Sequence, residues 1–236
     1  PALDAADRAH RFKAAIKELA LVNGHLATFM PKPFNDEGGS GFHLHFSMWS
    51  EDDKPLFDDP SSEDGLSQTA RHAIGGILAH APALAAISNP TINSYKRFGP
   101  DTLAPWLIDW GHDNRSAMLR IPPERGSAAR AELRLGDASA NPYLAIAGML
   151  AAALLGIRNE IEPPPALVGY GYDPSKAPKL PQTLWDALDA LEEDKEFAEV
   201  LGRPLVDTFL AYKRDEIDRF NSWITDWEFH EYTYHI

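Results

Sequence analysis

Between Phe42 and Met48 the chain alternates apolar and polar residues without a break, and a strand buried on one face satisfies that pattern. Phe42, Leu44, Phe46 and Met48 fall on one side; His43, His45 and Ser47 fall on the other. The stretch is entered through Gly38-Gly39-Ser40-Gly41, backbone loose enough to come close to a ligand. An apolar face implies a core behind it. A face of two imidazoles and a hydroxyl implies a site in front. Residues Ala129 to Leu135 repeat the arrangement, with Arg130, Glu132 and Arg134 on one face and Ala131, Leu133 and Leu135 on the other.

The remaining pattern is mostly helical. Asp4 caps a helix whose apolar stripe is Ala9, Phe12, Ile16, Leu19 and Ala20, with Gly24 as its stop. Leu26 to Met30 reads as a short strand, and residues 50–64 as an exposed acidic hairpin loop. Leu66 to His80 is helical, whereas Asn89 to Asn114 loses all periodicity yet holds Tyr95, Phe98, Trp106 and Trp110, the mark of an ordered and functional loop. Ala117 to Ile121 is a further strand. Asn141 caps a buried helix with Pro142 in its first turn. Residues 169–181 form a surface connection, Thr183 caps a helix with Leu184, Leu188 and Leu191 inward, and a last helix runs from Pro204 to about Trp223. The order predicts a single α+β unit: a largely antiparallel sheet with helices packed on its outer face.

Composition narrows the function. A net charge of -13 disfavours nucleic acid and anionic membranes as partners. The uncharged run from Ala138 to Ile157 is too rich in Ala, Gly and Asn for a membrane span, and no signal peptide is visible. The absence of cysteine excludes disulfides and thiolate-bound zinc and fits a cytoplasmic location.

Within this acidic chain, residues 96–134 carry seven basic side chains against five acidic ones. Lys96, Arg97, Arg115, Arg120, Arg125, Arg130 and Arg134 are that local surplus, although Arg125 reads as an ordinary surface residue. Guanidinium forks grip phosphate and carboxylate groups through paired hydrogen bonds. Imidazole plus carboxylate, as in His43 and Glu132, suits Mg or Mn with water completing the shell. The residues therefore point to a metal-dependent site for phosphates and carboxylates, doing phosphoryl transfer or carboxylate activation.

Several motifs in fixed order resemble the glutamine synthetase family, in its C-terminal catalytic domain. They are Lys32-Pro33 with Gly39-Ser40-Gly41-Phe42-His43-Leu44-His45, then Asn93-Ser94-Tyr95-Lys96-Arg97, Asn114-Arg115-Ser116-Ala117 through Arg120-Ile121-Pro122, Glu132-Leu133-Arg134, and Ala140-Asn141-Pro142-Tyr143-Leu144. The resemblance implies that family's fold, related to the guanido kinases. It also implies an ATP-dependent ligase that joins the γ-carboxylate of glutamate to ammonia or an amine through γ-glutamyl phosphate, with Mg or Mn. On that basis His43 and Glu132 are metal ligands, and His45 and Ser47 lie along the nucleotide. Arg115 and Arg120 neutralise the phosphates, while Gly39, Arg97 and Arg134 hold glutamate. The parent protein is expected to be a ring-shaped homo-oligomer.

Three departures qualify the resemblance. The family's ammonia users carry Glu just before an Ala-Pro, where this chain reads Leu103-Ala104-Pro105; leucine neither attracts ammonium nor takes its proton, and lines an apolar pocket suited to an alkyl amine or polyamine. Gly38 stands where the family has an Asn that contacts glutamate. The N-terminal β-grasp domain and the start of the catalytic domain, with the paired glutamates that hold most of the metal, are not within residues 1–236, so this stretch alone is expected to be inactive. A non-catalytic nucleotide-binding or structural module is therefore the principal alternative, and a guanidino-phosphotransferase a weaker one. Tyr172 sits where some bacterial members carry an adenylylated tyrosine, in surroundings that differ, and is expected to be a plain surface residue.

Overall fold

The computed structural model describes residues 1–234. Helix α1 spans Ala2–Val22 and strand β1 Leu44–Phe46, followed by α2 (Gln68–Ala79), α3 (Ala81–Ser88) and a short 3-10 helix, Ile92–Arg97. Strands β2 (Trp110–His112), β3 (Leu119–Ile121) and β4 (Ala131–Leu133) come next, with a second 3-10 turn between the last two. The chain then returns to helix: α4 (Pro142–Arg158), α5 (Leu184–Glu193), α6 (Lys195–Leu201), α7 (Arg203–Asn221) and α8 (Asp226–Tyr232).

The sheet has the order β1-β4-β3-β2. β4 lies antiparallel to both β1 and β3, and β2 runs parallel to β3. Two of the three pairings are thus antiparallel, as the alternating strands require. β2 falls in the stretch that shows no periodicity. Three residues are too few for a pattern to emerge, and the strand exists because Trp110 and His112 pair with Leu119 and Ile121. The apolar sides of β1, β3 and β4 supply Phe46, Leu119, Ile121 and Leu133 to one core with α2 to α7.

Two of the caps read from the sequence operate as expected, whereas Asp4 does not cap α1: it lies inside the first turn of a helix that begins at Ala2 and has no side-chain cap. Asn141 accepts hydrogen bonds from the amides of Tyr143 and Leu144, and Thr183 accepts one from Asp186. The centre of the helical layer is the crossing of α2 over α4, and glycines permit it. A Cβ on Gly156 would lie 2.1 Å from the carbonyl oxygen of His72, and one on Gly76 would lie 2.2 Å from that of Ala152. Both obstacles are backbone, so neither helix can yield by turning a side chain.

Three expectations are corrected. Leu26 to Met30 forms no strand, because no partner strand lies beside it. In α1 the apolar stripe is not buried: Phe12 is 62% and Leu19 58% exposed, Ala9, Ile16 and Ala20 are only partly covered, and Ala6 is the helix's one buried residue. The helix docks instead by polar contacts: the Lys13 ammonium donates to the carbonyl of Ala140, and the Tyr143 hydroxyl donates to Asp7. Tyr172 is buried, at 7% exposure, because residues 163–182 fold against β2 rather than over open surface. Among the described residues no helix is long and apolar enough to cross a membrane.

Replacing Gly156 by Ala is expected to destabilise the fold by about 3 kcal/mol or more, since overpacking against immobile backbone exceeds the usual range for a flexible core. Thermal unfolding followed by circular dichroism checks this. The same change at exposed Gly38, where a Cβ meets nothing within 4 Å, should leave the melting temperature unchanged.

Candidate active site

The register of the sheet assembles the site. His45 stands opposite Glu132, and Glu132 opposite Arg120, so three polar side chains from three strands share one row. His43 and Arg134 flank that row. Glu132 is its centre and is only 3% exposed. One carboxylate oxygen accepts from Arg120 at 2.7 Å and the other from Arg134 at 2.9 Å. His43 Nδ1 lies 3.2 Å from the second oxygen and His45 Nε2 lies 3.8 Å from it.

Burial by itself would raise the Glu132 pKa, but the hydrogen bond from Arg120 and the charge of Arg134 overcome it and hold the carboxyl below its usual range. His43 is affected in the opposite way: burial first, and then the positive charge of Arg134, push its imidazole down to about 4. It is neutral near pH 7. Its Nδ1 lies 3.3 Å from the Arg134 guanidinium and 3.2 Å from the Glu132 carboxylate, between a donor and an acceptor.

The glycine turn is pinned rather than loose. The Ser40 amide donates to the carbonyl of Pro31, Phe42 to that of Gly136, and Ala138 to that of Ser40. Beneath it runs Arg97. A Cβ on Gly39 would come within 2.6 Å of the Arg97 Cγ, so only glycine lets the turn lie on that side chain. The Arg97 guanidinium turns inward and donates to the carbonyls of Leu135 and Arg134 at 3.3 Å each. Burial lowers its pKa to about 10, with the charge of Asp137 acting the other way.

The structure thus brings together Gly39, His43, His45, Arg97, Arg120, Glu132 and Arg134. Ser47 lies on the same exposed side of the β1 segment, where its hydroxyl accepts from the Trp49 indole at 3.1 Å. Arg115 is exposed, and among the described residues no acidic side chain pairs with it. Leu103 stands apart. It is 80% exposed, on a loop in which it adopts φ of +63°.

Two contributors were not evident from the sequence. Asp113 takes the remaining face of the Arg120 guanidinium, which is consequently saturated by two carboxylates. Arg130, singled out only for its place on the strand, reaches Nδ1 of His45 at 3.4 Å. Asp113 lies in the tight turn joining two parallel strands, where no alternation marks a facing residue. A third group, Asp109, lies just outside the row and is 4% exposed. One of its oxygens accepts from the Met118 amide at 2.8 Å, while the other has no partner among the described residues. Burial raises its pKa to about 6.

The chemistry of this donor set is that of an anion site. Glu132 is outnumbered by Arg120 and Arg134 in contact with it, and Arg115 and Arg130 add positive charge nearby. The described residues contain no cluster of three His, Asp or Glu placed to hold a metal ion, and both oxygens of Glu132 are engaged by arginine. By themselves, then, these residues do not fit a resident divalent cation.

Comparison with known proteins places this geometry. The family model described as "Glutamine synthetase, catalytic domain" matches residues 1–232. The chain is 43% identical to a protein named glutamine synthetase from Thermotoga maritima, over 98% of this chain and 54% of that protein. It is 44% identical to one of the same name from Thermus thermophilus, over 98% of this chain and 53% of that one. Among solved structures, one titled "GmaS/ADP complex-Conformation 1" superposes with a TM-score of 0.91 at 41% identity, covering 98% of this chain and 55% of the other. One titled "Apo GmaS without ligand" gives 0.90 at 42% identity, covering 99% and 54%. The chain spans about half the length of the curated relatives it matches.

Two stability outcomes follow from the geometry. Glu132→Ala is expected to cost about 3–5 kcal/mol, because it leaves Arg134 buried without its carboxylate; denaturant unfolding measures it. Asp109 has a folded pKa above the ordinary carboxylate value, so the protein loses stability as pH rises through the interval from 3.8 to about 6. Asp109→Asn keeps the acceptor for Met118 and removes that loss. The variant should exceed the wild type by roughly 3 kcal/mol at pH 7.5 and match it at pH 4, as read from melting curves across pH. His43, whose folded pKa of about 4 lies below the ordinary 6.5, acts in the reverse sense in both proteins, stabilising as pH rises through that interval, and so cancels from the comparison.

Proposed function

The chain belongs to the glutamine synthetase family, within its catalytic domain, and from that premise we propose that the protein carrying it is an ATP-dependent ligase joining the γ-carboxylate of glutamate to an amine or ammonia. The observation that supports this most is the buried Glu132 carboxylate gripped by Arg120 and Arg134, with exposed Arg115 and half-buried Arg130 beside it. A site that concentrates guanidinium groups on a chain of net charge -13 is built to stabilise transferred phosphate.

In the proposed reaction a γ-carboxylate oxygen of glutamate attacks the γ-phosphorus of ATP, and the bond to the bridging oxygen breaks with release of ADP. The amine nitrogen then attacks the acyl carbon of γ-glutamyl phosphate, and phosphate leaves with the electron pair of the C–O bond. His45 and Ser47 face the nucleotide; the similar structure titled as an ADP complex supports a nucleotide site. Arg115, unpaired by any acidic side chain among the described residues, meets the phosphate as charge develops. Arg120 meets it only by exchanging Asp113. Gly39, Arg97 and Arg134 shape the glutamate end, with Arg97 acting from beneath through the Gly39 turn. Mg or Mn belongs to the proposal as the ATP counter-ion, with His43 and Glu132 as two of its ligands and the others supplied from outside residues 1–236. The proposal also includes an N-terminal β-grasp domain outside residues 1–236, a ring-shaped homo-oligomer and a cytoplasmic location.

Leu103 favours an alkyl amine or polyamine over ammonia. Its exposed side chain offers apolar surface that an alkyl substituent covers and an ammonium ion does not. The competing function, a non-catalytic nucleotide-binding or structural module, draws on one observation: both oxygens of Glu132 are occupied by arginine.

The test is phosphate release by the protein carrying this chain, given ATP, Mg, glutamate and a panel of ammonium, a monoalkylamine, ethanolamine and a polyamine. Release is expected to be fastest with an alkyl amine or polyamine; equal rates with ammonium would remove the Leu103 argument, and no release with any amine would favour the module. Leu103→Glu should shift the preference toward ammonium by about tenfold, roughly 1.4 kcal/mol. Arg115→Ala is expected to lower kcat by about 10²-fold or more with an unchanged melting temperature.

A further inference from the structure

The loop that follows Arg97 contains two non-glycine residues in the left-handed region, Asp101 at φ of +61° and Leu103 at φ of +63°. Leucine has no side-chain means of offsetting that conformation, so the loop must be held from outside. The holding segment is residues 163–182. It is fixed along β2 and the residues before it: the Leu167 amide donates to the Trp110 carbonyl at 2.7 Å, Ile108 donates to Pro178 at 2.8 Å, and Leu180 donates to Trp106 at 3.0 Å. From this segment Tyr170 reaches one of the two strained residues, with Tyr172 packed behind it. The Tyr170 hydroxyl donates to the Asp101 carboxylate, 3.1 and 3.2 Å from its two oxygens. The Tyr172 hydroxyl is buried and without a hydrogen-bond partner among the described residues, and its ring packs against that of Tyr170. The rings pack edge to face with centroids 5.4 Å apart, so the two hydroxyls are delivered as one unit.

We propose that Tyr170 and Tyr172 are positioning residues that clamp residues 99–104 in the strained conformation presenting Leu103, so that amine selectivity is set in part from a segment outside the site. The selectivity half of this rests on the ligase function proposed above; the clamp itself does not. Neither tyrosine touches substrate. They act through the loop, Tyr170 by its hydrogen bond to Asp101 and Tyr172 by packing against Tyr170.

The experiment uses the protein carrying this chain and the variants Tyr170→Phe, Tyr172→Phe and Asp101→Asn. Hydrogen exchange without substrate reads the clamp. Tyr170→Phe should raise exchange of residues 99–104 by about tenfold, as loss of a hydrogen bond to a carboxylate implies, while residues 110–121 stay unchanged. Asp101→Asn, which keeps an acceptor oxygen and tolerates the same φ, should stay near wild type. Kinetics read the selectivity. Tyr170→Phe and Tyr172→Phe should raise KM for the amine by about fivefold or more, leave KM for ATP and glutamate within about twofold of wild type, and narrow the discrimination between alkyl amine and ammonium. Unchanged exchange in Tyr170→Phe would overturn the clamp, whatever the activity. Raised exchange with all three KM values unchanged, or raised together, would overturn its role in selectivity. If the wild type turns over no amine, the ligase function fails, and the exchange measurement still decides the clamp.

Discussion

The contact on which the site depends is the Glu132 carboxylate between Arg120 and Arg134. A buried carboxylate cannot stay ionised without compensation, and a buried guanidinium cannot stand alone. Each therefore requires the other, and the requirement runs across the sheet: β4 supplies Glu132, β3 supplies Arg120, and Arg134 follows directly on β4. His43 joins as a neutral imidazole rather than as a cation, because it is partly buried and Arg134 stands beside it. Sheet register and site electrostatics are here one constraint. A slip of one residue in β4 would turn Glu132 to the core and Leu133 to the site.

Around that contact the protein separates arginines that support from one that remains available. Arg97, Arg120 and Arg134 each donate to internal acceptors, carbonyls in the first case and carboxylates in the other two, and the Nε of Arg134 is buried without a partner among the described residues. Arg115 stays exposed without an acidic partner among the described residues, while Arg130 is paired with Glu124 at 3.2 Å. Buried guanidinium groups with fixed partners lose little freedom when an anion arrives, which is the condition for electrostatic preorganisation. The resulting field favours phosphate and carboxylate.

Much of this was legible before any coordinates. The alternation through Phe42 to Met48 placed the histidines and Ser47 on one side and the core residues on the other, and Arg130, Glu132 and Arg134 shared a face as their spacing required. The caps at Asn141 and Thr183 form as expected, because a cap is a local hydrogen bond between neighbours in the chain. Elsewhere the local signal was absent or misleading. β2 is too short to show a period, Asp113 sits in a turn without one, and the stripe on α1 is not buried in the core that its pattern implied. Tyr172, with no apolar pattern about it, is buried because Tyr170, Leu167 and Pro178 bring its whole segment against β2 and the loop before the sheet.

By itself, then, the sequence determined which residue types face which way along each strand and helix, and through its ordered motifs the family. Both are properties of neighbours in the chain. The tertiary structure alone decided which arginines have internal carboxylate partners, why His43 is neutral, and that Tyr170, far along the chain, reaches left-handed Asp101 in the Leu103 loop. Those depend on burial and on distances between residues remote in sequence. A local pattern specifies which residues share a face, whereas the charge state and the partners of a side chain depend on everything folded against it.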